Sequence, residues 1–229
     1  MTGKAAIYHF TDKSAHRPKI YRDQLNALKA YAASVGFDVV DVFCDMSLKR
    51  FERTEFDRFL SCSEQYDALI TKDFYHISKN TGKCMGILQE LRKKGLQVYS
   101  VENGIYISED PPLDEALRVA SYTCIHGIPD EIREILPVKN DILKLFTTKK
   151  TKWILTDQYT DQSPHQRDRE LVQLKMLLDN RDKYDILLVH NLNDIHWRTA
   201  NFFRIREQLH MDIYSLQEGL LKYRMRISA

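Results

Sequence analysis

Apolar residues in this chain fall in short runs separated by longer amphipathic stretches, and the alternation repeats down its length. In the first half this pattern predicts strands over 5–10, 38–44, 67–72 and 96–101, with helices over 19–35, 54–64 and 80–94. The first helix carries Leu25, Leu28, Tyr31 and Ala32 at the spacing of one buried face, and Gly36 ends it. The second half predicts strands over 119–126, 152–157, 184–190 and 211–216, with helices over 139–147, 168–181 and 199–210. Strands alternating with helices in this way imply parallel pairing through crossovers. The expected fold class is therefore α/β: two tandem domains, each a parallel sheet of four or more strands flanked by helices.

The two halves also match residue by residue. Asp41-Val-Phe-Cys-Asp45-Met-Ser47, with Arg53 beyond it, is echoed by Asp157-Gln-Tyr-Thr-Asp161-Gln-Ser163, with Arg169 at the same distance. Tyr66-Asp67 precedes one apolar run and Tyr184-Asp185 another, and Tyr99-Ser100 to Gly104 reappears as Tyr214-Ser215 to Gly219. Upstream, Ala5 to Phe10 is set against Ser121 to His126. Matches in one order at nearly one spacing point to a tandem duplication. The expected domains are 1–110 and 111–229, joined at Ser108-Glu-Asp-Pro-Pro112, where the proline pair breaks both element types.

On these motifs the first unit resembles the catalytic domain of serine recombinases, the resolvases and invertases. The family's opening Tyr-x-Arg-Val-Ser is met by Tyr8-His9-Phe10-Thr11-Asp12, and its Asp, Ser-Gly turn and Arg by Asp45, Ser47 and Arg53. Its Asp-Arg-Leu-Ser-Arg-Asn is met by Tyr75-His76-Ile77-Ser78-Lys79-Asn80, and its closing glycine-to-glycine segment by Gly95 to Gly104. The resemblance implies DNA recombination, in which a serine hydroxyl attacks a phosphodiester while arginines hold the phosphate. In this chain Asp12 stands at the nucleophile position, Phe10 replaces one arginine, and His76 and Lys79 replace two more. Arg53 alone matches. Each lost donor costs about 3 kcal/mol of transition-state stabilisation, so the first unit is expected to be a degenerate pseudoenzyme. The second is more degenerate still, with Asp194 and Trp197 at arginine positions and Arg169 retained.

Composition adds little to this. Of 229 residues, 34 are basic and 32 acidic, a net charge of +2 that neither requires nor forbids DNA binding. Lys49, Arg50, Arg53 and Lys79 are the candidate DNA contacts. The four cysteines form no CxxC pair, and His9, His76, His126, His190 and His196 show no ligand spacing. No metal or cofactor is therefore expected, and these histidines read as surface or capping residues. No apolar run reaches a membrane span, and a cytoplasmic location is the default expectation.

The resemblance thus implies a serine-recombinase-like accessory module, from a bacterial mobile element or prophage, working through a full-length recombinase or through weak DNA binding. One rival keeps catalysis, with Ser14 or Thr11 as a displaced nucleophile assisted by Arg53, His76 and Lys79. Another repurposes the fold for an unrelated partner. Leu220 to Ala229 is too short for the long dimer helix and DNA-binding part of family members. The two domains are therefore expected to cover each other as an intramolecular pseudo-dimer, through Phe202, Phe203 and Leu220-Leu221.

Overall fold

The central strand of the first unit is β1 (Gly3–Asp12), whose Ala5, Ala6, Ile7 and Tyr8 are all fully buried. A strand buried on both faces reads as a continuous apolar run, which is why alternation is absent there. The structure is a computed structural model and describes residues 2–12, 18–47, 53–106, 108–109, 115–163 and 171–223. The chain divides into two units: one runs to Lys79 and includes Lys83–Tyr106, and the other holds Asn80–Gly82 and continues to Tyr223.

In the first unit, β1 is followed by α1 (Pro18–Ser34), β2 (Phe37–Ser47), α2 (Thr54–Cys62), β3 (Ala68–Thr71), α3 (Thr81–Lys93), β4 (Gln97–Ser100) and β5 (Gly104–Ile105). The sheet order is β2-β1-β3-β4-β5. The first four strands are parallel, and β5 turns back antiparallel against β4. Leu25, Leu28, Tyr31 and Ala32 of α1, with Val35 just past its end, cover one face of the sheet, packing on Ala5, Ile7, Ala68 and Ile70. Gly36, at φ 90°, ends the helix in the left-handed conformation that glycine adopts without strain.

The second unit has β6 (Ser108–Glu109), β7 (Leu117–His126), α4 (Pro129–Thr148), β8 (Trp153–Ser163), α5 (Val172–Asp179), β9 (Ile186–Val189), α6 (Thr199–Leu209), β10 (Asp212–Ser215) and β11 (Gly219–Leu221). Its order is β6-β11-β10-β9-β7-β8. Four strands are again parallel, with β11 antiparallel to β10 and β6 antiparallel to β11. Each unit is thus a mostly parallel sheet flanked by helices.

Both units carry a β-bulge at one place. Ala5 pairs with Val39 and Ala6 with Asp41, leaving Val40 unpaired in β2. Val119 pairs with Leu155 and Ala120 with Asp157, leaving Thr156 unpaired in β8.

Three expectations need correction. Helix α4 begins at Pro129, ten residues before the predicted start, with Pro137 inside it. Proline normally stops a helix, but here the following turns bury Leu143 and hold Phe146 against the core. Ser108 and Glu109, read as linker, pair with Leu221 and Leu220; Pro111 and Pro112 lie outside the described residues. Leu220, read as interface, packs inside the second unit's own core with Val119, Trp153 and Leu188.

Candidate functional site

The crevice that an α/β sheet offers to ligands lies at the carboxyl ends of its strands, where the strand order reverses. In the first unit that point is the end of β1, between β2 and β3. The scaffold around it is held by a carboxylate clasp. Asp45, buried near the end of β2, accepts hydrogen bonds from the Tyr8 hydroxyl (3.1 Å) and from the backbone N–H groups of Glu55 (2.9 Å) and Phe56 (3.0 Å). These N–H groups open α2 and have no partner within the helix, so the carboxylate both caps it and fixes it to the sheet. Burial and the Asp45 carboxylate push the Tyr8 hydroxyl far above the usual tyrosine range.

Beyond the clasp, two imidazoles and a phenyl ring meet at the strand end. His9 is fully buried, and its Nε2 lies 3.0 Å from Gln24 Oε1 of α1. Its ring meets that of His76 edge-on, with centroids 5.8 Å apart, and Tyr21 stands 6.0 Å away. The Phe10 ring is 6.1 Å from His76. Burial first, then His9 and Lys72, pushes the His76 pKa down to about 4. Burial likewise holds His9 below the ordinary histidine range, opposed by its bond to Gln24. Both imidazoles are therefore uncharged at neutral pH. His9 and His76 were expected at the surface or at helix caps, and the structure instead brings them together inside the site. The missed signal was the placement of His9 directly after the buried run Ala5-Ala6-Ile7-Tyr8.

The remaining candidates divide between placed and undescribed. Arg53 is half-buried, with its guanidinium carbon 4.8 Å from the Phe56 ring centroid. Lys79 is exposed, its Nζ 5.8 Å from the Tyr75 ring. Thr11 is buried. Asp12 is the last residue of β1, and its side chain lies outside the described set, as do Ser14, Lys49, Arg50 and Arg169.

In the second unit the same clasp recurs. Asp161 accepts from the Tyr122 hydroxyl (3.0 Å) and from the N–H groups of Gln173 (3.0 Å) and Leu174 (2.9 Å). This sets Tyr122 against Tyr8 and corrects the sequence alignment of β7 by two residues: Cys124 stands where Phe10 does and His126 where Asp12 does. The outer ties recur too. Tyr66 donates to Asp41 and Tyr184 to Asp157, while the N–H of Lys4 donates to Asp67 and that of Arg118 to Asp185.

The chemistry at the strand ends differs. At the position of His9, Thr123 donates to Asn140 (3.0 Å), whose amide in turn faces Thr160. At the position of His76 stands buried Asp194, 3.6 Å from Lys139 Nζ. Trp197 occupies the place of Lys79, with the Arg198 guanidinium 4.8 Å from its ring. Among the described residues no three His, Cys, Asp or Glu side chains gather as a metal site. No described helix is long and apolar enough to cross a membrane.

Residues 13–121 match the family model described as Resolvase, N terminal domain, a match that begins just past β1. Among solved structures, the chain is similar to the N-terminal catalytic domain of TP901-1 integrase (19% identity, TM-score 0.38, 44% of this chain and 78% of that one). It is also similar to the C-terminal catalytic domain of ISC1926 TnpA, an IS607-like serine recombinase (19%, 0.37, 64% and 84%). A third is a resolvase family site-specific recombinase from Streptococcus pneumoniae (16%, 0.40, 64% and 93%). No curated protein matches it in sequence.

Proposed function

With residues 13–121 belonging to the resolvase N-terminal domain family, we propose that this chain serves DNA recombination as an accessory module and does not itself cut or join DNA. The observation that carries this reading is the His9–His76 ring pair, with Phe10 beside it, at the strand end where the family holds phosphate with arginines. Phosphoryl transfer depends on fixed positive charge at the developing anion. Two uncharged imidazoles and a phenyl ring supply none, and Arg53 with the exposed Lys79, which has no bidentate fork, does not replace the set. Asp12 offers a carboxyl group where a hydroxyl is required, and the burial of Thr11 counts against it as a substitute nucleophile.

The second unit is, on this reading, a second copy of the same domain. Support comes from the recurrence of strand order, bulge and clasp in both units. A module of this kind acts through a catalytically complete recombinase or through modest DNA contact by Lys49, Arg50, Arg53 and Lys79.

The test is incubation of the whole chain with supercoiled plasmid carrying recombination sites, followed by denaturing electrophoresis. Unchanged topology and no protein–DNA adduct are expected. An adduct that disappears in Ser14→Ala would overturn the proposal in favour of a displaced nucleophile.

A further inference from the structure

In the first unit, α2 and α3 enclose a groove of about 590 Å³. Leu60 of α2 and Gly86, Ile87 and Leu91 of α3 form an apolar floor. Lys83, Gly86, Ile87, Glu90, Leu91 and Lys94 recur at the spacing of one helical stripe, so the groove follows the long side of α3. Its volume lies in the range of ligand sites, but its form is a trough between two helices.

Gly86 is the telling residue. It sits in the middle of α3, and a Cβ built there meets nothing within 4 Å. Glycine inside a helix is unfavourable because of its backbone freedom, and no packing within the described residues requires it. On α6, the equivalent position carries Arg204, which is exposed. Helix axes come closest where the side chains at their crossing are smallest. A bare backbone at the floor of an apolar trough therefore suits the close approach of another helix. The charges around it select which kind. Arg53, Lys83 and Lys94 line the groove with one acid, Glu90, whose Oε1 is 2.7 Å from Lys93 Nζ, while Lys94 Nζ lies 3.9 Å from Glu64 at the rim, so cations outnumber acids around it.

We infer that this groove docks an acidic amphipathic helix of a partner protein. Its apolar face lies on Leu60, Gly86, Ile87 and Leu91, and its carboxylates face Arg53, Lys83 and Lys94. A nucleic-acid backbone fits less well, since it would lay phosphates across the leucine and isoleucine floor. The inference goes beyond the accessory reading, which stands or falls without it.

The experiment is fluorescence anisotropy on the whole chain with a labelled, stapled synthetic helix of about 18 residues. The helix carries leucines at i, i+4, i+7 and i+11 with flanking glutamates. A lysine-for-glutamate counterpart and a labelled DNA duplex serve as controls. The glutamate helix is expected to bind, more tightly at low salt, and the lysine helix at least about tenfold more weakly. Gly86→Phe, which fills the trough, is expected to weaken binding by at least about tenfold. Should Gly86→Phe fail to fold, the double variant Lys83→Glu/Lys94→Glu is expected to reverse the preference between the two helices. Four results would overturn the inference: no helix binding, equal binding of both helices, duplex binding lost in Gly86→Phe, or a self-association of the chain that Gly86→Phe abolishes.

Discussion

The first and second units share their scaffold and differ at their strand ends. Asp45 and Asp161 sit in the same clasp, with distances that agree within about 0.1 Å. A few residues away, a buried and a half-buried imidazole in one unit stand where the other has a Thr123–Asn140 link and a Lys139–Asp194 pair. The difference has a physical cause. Loss of a clasp carboxylate strands three donors at once, two of them buried and one part-buried, which a single neighbouring change is poorly placed to satisfy. At the open end of the sheet a side chain can be exchanged for another that finds its own partner. Stability thus fixes the clasp, while the strand ends are set by whatever chemistry the unit performs.

The severest way to break this equivalence is to remove the clasps one at a time. Asp45→Ala and Asp161→Ala should each cost about 3 kcal/mol or more, because each leaves two helix N–H groups and a tyrosine hydroxyl unpaired. Both tryptophans, Trp153 and Trp197, lie in the second unit, so urea unfolding followed by tryptophan fluorescence reports that unit. Hydrogen exchange along β1 and β3 reports the first. A clasp variant that leaves its own unit unmoved would show that the two carboxylates do different work.

A middle-sized effect should separate the strand ends. The His76 pKa lies at about 4 in the folded chain against 6.5 in the unfolded one. Its neutral form is favoured by folding, so the contribution is fully present above 6.5 and is lost as pH falls from 6.5 toward 4. The loss should reach about 3 kcal/mol at the lower end of that window, read as faster exchange in β1. Burial also holds His190 of the second unit below the ordinary range, so the sharper measurement is the variant. His76→Phe should shrink the acid limb of the first unit to the part that His9 contributes and leave that of the second unchanged. An unaltered acid limb in the first unit would remove His76 as its cause.

The smallest effect tests the helix that lines the groove. Gly86→Ala should stabilise the first unit by about 0.5–1 kcal/mol, the usual gain for alanine over glycine inside a helix. Arg204→Gly at the matching turn of α6 should cost the second unit a similar amount. Thermal melting of the two variants checks the pair, and a destabilised Gly86→Ala would mean that the glycine is needed within its own fold.

Much of this architecture is legible in the order of residues. The 3.6-residue spacing of Leu25, Leu28, Tyr31 and Ala32, closed by Gly36, gave α1 almost to the residue. Helix α4 was read short because Pro137 is a local stop signal, whereas Leu143 and Phe146 anchor the helix through tertiary packing. The strand-end positions Phe10, His76 and Lys79 were found through the family motif, since no periodicity marks them. The His9–His76 meeting was hidden, because 67 positions separate the two residues (76 − 9) and only the parallel pairing of β1 with β3 brings their neighbourhoods together. The two-residue error along β7 arose because apolar runs carry no landmark, and Tyr122 became one only through its bond to Asp161.

The bulge at Val40 acts as a phase shifter. Before it, Phe37 and Val39 point toward α1; after it Val42 does, while Asp41, Phe43 and Asp45 turn to the other side, where Asp41 meets Tyr66, Phe43 meets Phe59, and Asp45 caps α2. One unpaired residue has therefore exchanged odd for even positions along the rest of the strand. Excising Val40 removes no buried group, since its side chain is half exposed. It would nonetheless restore strict alternation and set the two ends of β2 in conflict, so that either Phe37 and Val39 leave the α1 face or Asp45 swings away from the helix it holds. A deletion at a surface position is thus felt five residues away, carried by nothing more than the parity of the chain.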